Sequence, residues 1–122
     1  MNAMIDVLIV GAGPTGLMAA IEVARFGLTC RVIDQSLAPS NKSKALAIHA
    51  RTLELFDHVG IVKPFLKEGI CLRHATFFAQ GKPLTHIDFN SLESPYPFML
   101  SLEQNKTEAI LAGHAASLGV KV

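Results

Sequence analysis

The sequence predicts an α/β fold built around a parallel strand–helix–strand unit at its amino end. The apolar run Val7–Val10 is followed by a glycine-rich turn, G-A-G-P-T-G, and then by a segment with apolar residues at helical spacing. A second apolar run, Cys30–Ile33, ends on the acid Asp34. A strand, a tight turn, a helix and another strand in this order are typical of one unit of a parallel sheet.

The residues of the glycine-rich turn have separate physical roles. Gly11 allows a sharp turn out of the first strand, where a side chain would clash. Gly13 has no Cβ, so a phosphate can approach its backbone, and Gly16 allows the helix to pack closely on the strand. Pro14 suits the first turn of a helix because no N–H bond is lost there. With Thr15, these residues present the N–H groups and the positive dipole end of the helix to an anion.

The acid at the end of the second strand completes a dinucleotide-binding pattern. The carboxylate of Asp34 can accept hydrogen bonds from the hydroxyls of an adenosine ribose. An acid at this position argues against a 2′-phosphate, and therefore against NADP in this site. Gln35 begins a polar loop that is expected beside the nucleotide. The alternative is a glycine-rich turn that packs and binds nothing.

Composition predicts one small folded domain with a core. The chain has 122 residues, is 50% hydrophobic and has a net charge of +1, with a mean hydropathy of +0.37. Such a charge argues against a nucleic-acid-binding surface. No stretch is long and apolar enough for a membrane span, and the histidines lack the spacing of metal ligands. Two cysteines without a secretory context predict a reduced, cytoplasmic protein.

The remainder of the chain predicts helices and one antiparallel hairpin outside the nucleotide-binding sheet. Phe77, Phe78 and Phe89 are expected in the core of the hairpin layer. The expected elements are helices at 45–59 (best defined from 51) and 61–69, a hairpin at 75–89, an extended piece at 98–100, a helix at 104–117 and the start of a strand at 120–122.

Three segments also carry a resemblance to a known family. They are residues 6–17 (D-V-L-I-V-G-A-G-P-T-G-L), 44–56 (K-A-L-A-I-H-A-R-T-L-E-L-F) and 96–108 (Y-P-F-M-L-S-L-E-Q-N-K-T-E). Together they resemble the FAD-dependent aromatic hydroxylases, also called class A flavoprotein monooxygenases. The similarity to the p-hydroxybenzoate, phenol and 3-(3-hydroxyphenyl)propionate hydroxylases covers nearly the whole chain.

The resemblance implies a fold and a division into domains. It implies a Rossmann-like FAD/NAD(P)-binding βαβ sheet with the start of a second, antiparallel β layer. Residues 1–72 and 98–122 would form an incomplete FAD-binding domain that holds the ADP half, and residues 73–97 a hairpin on the substrate-domain side. The second FAD fingerprint of the family lies much later in the sequence. The chain is therefore expected to be the amino-terminal, truncated part of such an enzyme.

The resemblance also implies roles for single residues. The three glycines of the turn would face the FAD pyrophosphate, and Asp34 the adenosine ribose. Lys44, where the family usually has arginine, would lie near the flavin or the pyrophosphate. Arg51 would neutralise phosphate or pair with Glu54 on its own helix. Gln104 would lie near the ribityl chain of the flavin, and no residue of this chain is assigned a catalytic or metal-binding role.

The implied chemistry belongs mainly to the cofactor. NAD(P)H would reduce FAD, and oxygen would then hydroxylate a small aromatic, usually phenolic, substrate. The chain by itself is expected to be inactive. Two alternatives stay open, namely another FAD-dependent oxidoreductase of the same fold and a non-catalytic nucleotide-binding module. The first strand would leave an apolar edge exposed in the isolated chain, which predicts a homo-oligomer.

Overall fold

The computed structural model describes residues 4–39, 41 and 47–122. The chain forms two compact units: Met1–Lys44 with Gln104–Val122 is the first, and Ala45–Glu103 is the second. A short 3₁₀ turn, Phe89–Ser91, follows the hairpin. In chain order the helices and strands are β1 (Val7–Val10), α1 (Pro14–Arg25), β2 (Cys30–Ile33), β3 (Ala47–Ile48), α2 (Ala50–Val59), α3 (Val62–Glu68), β4 (Ile70–Leu72), β5 (His74–Ala79), β6 (Lys82–Asp88), β7 (Met99–Ser101) and α4 (Gln104–Ser117).

The first unit contains the predicted strand–helix–strand arrangement. β1 and β2 pair in parallel, with Val7 opposite Cys30 and Val10 opposite Ile33. The helix between them packs on both strands and against α4. The expected strand start at 120–122 is a single parallel bridge beside β2, between Arg31 and Lys121.

The core of the first unit lies between its two helices and one face of the sheet. Leu17, Ala20 and Ile21 on α1 are buried, as their helical spacing predicted. α4 contributes the buried Leu111 and Ala115. α1 covers one face of the sheet. The carboxyl ends of both strands lie at the edge of this core, and the glycine turn begins there.

The second unit is organised around a small antiparallel sheet in which β7 lies between β3 and β4. Leu100 on the central strand is fully buried and lies opposite Ile48 on one side and Cys71 on the other. α2 and α3 pack through the stacked rings of Phe56 and Phe65, whose centroids are 4.3 Å apart. These contacts give the unit its own core.

The helix expected at 45–59 begins later than the pattern indicated. The structure places its start at Ala50, whereas Ala47–Ile48 is the strand β3. Pairing with β7 explains the difference, because tertiary contacts override the helical preference of a short apolar stretch. Residues 45 and 46 lie outside the described part of the chain. The short helix at 61–69 and the helix at 104–117 are confirmed as α3 and α4.

The hairpin is confirmed, but its expected apolar core is not. β5 and β6 pair antiparallel through a turn at Gln80 and Gly81, whose positive φ values of 52° and 76° suit a two-residue hairpin. Phe77 and Phe78 are exposed and Phe89 is half-buried, so the expectation of a core there was wrong for the first two. A two-stranded hairpin offers no second layer within the described residues on which these rings could pack.

Candidate functional site

The glycine turn begins where β1 ends. The N–H of Gly11 donates to the carbonyl oxygen of Ile33 at 2.7 Å, which extends the parallel pairing by one residue. Gly11 has a φ of 108°, in the left-handed region that disfavours residues with a Cβ. The chain therefore leaves the sheet sharply at this point, as the sequence predicted.

The close approach of α1 to the turn depends on Gly16. A Cβ built on this residue would lie 1.9 Å from the carbonyl oxygen of Gly11, which is far inside van der Waals contact. The neighbouring atom belongs to the backbone and cannot rotate away. Gly16 is therefore required by packing within the chain itself.

Gly13 differs from the other two glycines of the turn because nothing in the described chain requires it. Its φ of −77° and ψ of −176° are accessible to any residue. A Cβ built there would meet no atom within 4 Å. The missing side chain leaves open space directly in front of the turn. This opening fits a group from outside the chain that must approach the backbone closely.

The start of α1 makes the turn favourable for an anion. Pro14 occupies the first helical position, and Gly13, at the N-cap, has no side chain to cap the helix. The first turn contains no acidic residue. Its N–H groups, at Thr15 and Gly16, have no partner within the helix, and the positive end of the dipole lies beside them. An open approach and N–H donors together suit a phosphate group.

The carboxylate of Asp34 lies over this turn. Its Oδ2 accepts a hydrogen bond from the N–H of Ala12 at 2.8 Å, and its Oδ1 accepts one from the N–H of Ser36 at 2.8 Å. Both oxygens of the carboxylate therefore accept hydrogen bonds from main-chain N–H groups. Through these bonds Asp34 connects the glycine turn with the loop that starts at Gln35. The side chain of Gln35 is exposed.

The remaining predicted site residues are Gln104, Arg51 and Lys44. Gln104 is half-buried at the start of α4 in the first unit, and its Nε2 donates to Oε1 of Glu108 at 2.8 Å. Arg51 belongs to the second unit, where its Nη1 lies 3.4 Å from Oε2 of Glu54. The sequence left open whether Arg51 neutralises phosphate or pairs with Glu54, and the structure contains the pair. Lys44 lies outside the described residues.

The second unit has a cavity of about 440 Å³ beside the first turn of α2. Arg51 and His49 line it at the start of the helix, and residues 87–98 contribute both apolar and acidic side chains on the other side.

The structure brings seven of the predicted site residues together at the carboxyl ends of β1 and β2, whereas Arg51 lies beside the cavity of the second unit. The seven are Gly11, Gly13, Pro14, Thr15, Gly16, Asp34 and Gln35.

Two kinds of candidate group were not found from the sequence. Ala12 and Ser36 act through main-chain N–H groups, which the identity of a side chain does not reveal. Asn105, next to Gln104, has a buried Oδ1 with no hydrogen-bond partner among the described residues. An asparagine in the first turn of a helix is common as a polar surface residue, so its burial could not be read from the sequence.

The described ranges contain neither a metal-binding cluster nor a membrane-spanning helix. Within residues 4–39, 41 and 47–122, no three histidine, cysteine or acidic side chains are grouped to hold a metal ion. Of the helices in those same ranges, none has the length and apolar character needed to cross a bilayer. The chemistry that the described residues support most directly is therefore that of the glycine turn.

The parallel unit, the open glycine turn and the acid above it define a dinucleotide-binding α/β domain. Comparison with known families narrows this class. Residues 4–122 match the FAD binding domain family, and the chain belongs to it. FAD is the cofactor that this family of domains binds.

Several similar proteins are named as monooxygenases. The chain is 42% identical over 117 residues, 96% of its length, to 12-dehydrotetracycline 5-monooxygenase/anhydrotetracycline 6-monooxygenase of Streptomyces rimosus. It is 42% identical over 106 residues, 86% of its length, to pentachlorophenol 4-monooxygenase of Sphingobium chlorophenolicum. It spans only 23% and 20% of these two relatives.

Solved structures agree with this assignment. The anhydrotetracycline hydroxylase of Streptomyces rimosus superimposes with a TM-score of 0.86 at 42% identity, over 97% of this chain and 24% of that one. The p-nitrophenol 4-monooxygenase of Pseudomonas putida superimposes with a TM-score of 0.89 at 25% identity, over 99% of this chain and 32% of that one. The whole described chain thus has the fold of one part of these longer enzymes.

Proposed function

We propose that this chain is the amino-terminal, FAD-binding part of a monooxygenase that hydroxylates a small aromatic substrate with NAD(P)H and oxygen. The observation that carries the proposal is the open space in front of Gly13. No contact among the described residues requires a glycine at this position. The relatives include monooxygenases named for pentachlorophenol and for tetracycline compounds, and these names support the aromatic substrate.

The predicted site residues have the following roles in this proposal. The backbone of the glycine turn and the first N–H groups of α1 hold the pyrophosphate, and Asp34 holds the adenosine ribose. Lys44, Arg51 and Gln104 contribute toward the flavin half. Bound FAD supplies the redox chemistry, and the chain supplies its binding and orientation.

The proposal extends to the longer enzyme. Residues 1–72 and 98–122 belong to its FAD-binding domain, and the hairpin within 73–97 lies on the substrate side. The 122-residue chain is inactive by itself, because it spans about a quarter of the relatives' length. A cytoplasmic location is supported by the two cysteines, Cys30 and Cys71, which are free thiols.

Self-association of the isolated chain is also proposed. Among the described residues β1 pairs only with β2, which leaves its other edge without a strand. On the sheet face away from α1, Leu8 is 54% and Val10 is 79% exposed. An apolar strand with a free edge favours pairing with a second copy.

The test of the FAD-binding proposal uses the purified 122-residue chain. FAD is added, unbound flavin is removed, and the protein is examined for flavin absorbance at about 450 nm, the band of the redox cofactor. ADP binding is measured separately by calorimetry. Retained flavin and measurable ADP binding support the proposal, and ADP binding without flavin favours a nucleotide-binding module. A chain that binds neither compound overturns it.

A further inference from the structure

A cluster of hydrogen bonds joins the two strands at the end opposite the glycine turn. Oδ2 of Asp6 accepts from the main-chain N–H of Thr29 and from its hydroxyl, both at 2.8 Å. The N–H of Asp6 lies 3.1 Å from both the hydroxyl and the carbonyl oxygen of Thr29. The N–H of Val7 also donates to that carbonyl at 3.1 Å. Two residues therefore bind each other through both side chains and backbones.

The position of this cluster makes it decisive for strand register. It immediately precedes the first paired residues, Val7 and Cys30, and the pairing then continues to Val10 and Ile33. The bond from the Gly11 N–H to the Ile33 carbonyl extends this pairing, and the hydrogen bond of Ala12 to the Asp34 carboxylate follows it. The register that is set at the amino ends of the strands thus determines which side chain meets the glycine turn at their carboxyl ends.

Apolar patterning cannot fix this register for β1. The strand reads Val-Leu-Ile-Val, so a slip by one residue exchanges one apolar face for another. A one-residue slip turns every side chain of a strand to the opposite face, and in β1 the side chains of both faces are apolar. The same slip would bring Ile33 or Gln35 to the place of Asp34, and neither has a carboxylate. A polar contact between the strands is the feature that discriminates between these registers.

We propose that Asp6 and Thr29 form a register lock, which positions Asp34 against the glycine turn for the nucleotide. The nucleotide part of this inference rests on the proposed function, and both residues are positioning residues that act through Asp34. The Thr29 N–H, followed by its hydroxyl, lowers the pKa of the Asp6 carboxyl, which agrees with an ionised acceptor in the lock.

The test compares variants of the lock with a matched surface variant in the same unit. Asp6→Ala removes the carboxylate of the lock and Thr29→Val removes its hydroxyl, whereas Thr29→Ser keeps the hydroxyl. Glu22→Ala is the control, because it removes the 2.7 Å ion pair between Glu22 and Arg25, which both belong to α1. The measurements are the amide resonance and hydrogen exchange of Ala12 by NMR, and ADP affinity by calorimetry.

The expected result is a shifted, faster-exchanging Ala12 amide and roughly tenfold weaker ADP binding in Asp6→Ala, as for the loss of hydrogen bonds to a charged group. Glu22→Ala and Thr29→Ser retain the parent values. If Asp6→Ala does not fold, Thr29→Val is compared with Thr29→Ser instead, because only the serine keeps the hydroxyl that donates to Asp6. An unchanged Ala12 amide in a folded lock variant overturns the inference. A parent chain that fails to bind ADP refutes the proposed function instead, and the Ala12 amide still decides the register lock.

Discussion

The main-chain N–H of Ala12 donates a 2.8 Å hydrogen bond to Oδ2 of Asp34, so the acid at the end of β2 closes the turn that follows β1. The other carboxylate oxygen holds the N–H of Ser36. Asp34 therefore organises the loops around the candidate site in addition to its proposed role with the ribose. Substitutions at this position must be judged by nucleotide affinity and by stability together.

Asp34→Asn is expected to weaken ADP binding roughly tenfold or more, because hydrogen bonds to a charged acceptor contribute about 1.5–3 kcal/mol. The amide keeps one acceptor oxygen and loses the charge. Glu103→Gln, which makes the same change at an exposed acid, is the control. Calorimetric titration with ADP measures both variants. Parent-like affinity in Asp34→Asn would remove this acid from the proposed site.

Gly13→Ala and Gly16→Ala are expected to have opposite consequences. At Gly16 the new methyl group meets the backbone of Gly11, so overpacking should lower the free energy of unfolding by about 1–3 kcal/mol or more. At Gly13 the methyl group enters open space in a permitted conformation. Stability should stay within about 1 kcal/mol of the parent there, while nucleotide binding is lost to steric blockage.

Urea unfolding and ADP titration of the same two variants separate these effects. The informative variant is Gly13→Ala, because its folded state is retained and any loss of binding reports on the open space itself. Unchanged ADP affinity in this variant would show that no ligand approaches the backbone at Gly13. The central observation behind the proposed function would then have no functional meaning.

The unit that carries these glycines was predictable because its pattern is local. The bounds of β1, α1 and β2 follow from continuous apolar runs, a proline at a helix start and glycines at turns. Asp34 was predicted to face the ribose, but its bond to Ala12 was not, because that bond depends on the strand register. The register in turn depends on Asp6 and Thr29, which are distant from each other in sequence.

The second unit was less predictable because its strands are short and depend on distant partners. β3 has two residues and β4 has three, and both are strands only because β7 lies between them. No periodic pattern can emerge over so few positions. The exposed rings of Phe77 and Phe78 have a different explanation. An apolar pattern predicts a buried face, but it does not show whether another layer covers that face.

Acid is expected to destabilise the chain through two identified carboxyls. Hydrogen bonds from the main-chain N–H groups of Thr29 and Asn90 are the largest causes that lower the pKa of Asp6 and Asp88, respectively, below 3.8. A carboxyl whose pKa is lower in the folded state stabilises the fold above its unfolded pKa. This contribution is lost as the pH falls through the folded pKa, so the loss begins near 3.8 and continues below it.

Urea unfolding over a series from about pH 6 down to about pH 2 measures this loss. Asp6→Asn and Asp88→Asn should each have a shallower fall in unfolding free energy on acidification, because each lacks one of the titrating groups. Glu103→Gln, at an exposed acid, should retain the slope of the parent. A fall in both Asn variants as steep as in the parent would assign the acid sensitivity to other groups.

The stacked rings of Phe56 and Phe65 are expected to dominate the stability of the second unit. Phe65 is 0% exposed, so Phe65→Ala should lower the free energy of unfolding by about 3–5 kcal/mol through lost burial and a residual cavity. Phe26→Ala is the control, because that ring is 79% exposed. Denaturant titration measures both, and equal losses in the two variants would contradict a core built on this pair.

Association of the isolated chain is expected to depend on the uncovered face and free edge of β1. Leu8→Lys places a charge on that face, away from the glycine turn, and charged side chains on edge strands oppose pairing with another chain. Light scattering coupled to size-exclusion chromatography should detect dimers or larger species for the parent and monomers for Leu8→Lys. Leu37→Lys, in an exposed loop after β2, should associate like the parent. A parent chain that is monomeric at every concentration would show that an edge of four residues is too short to recruit a second copy.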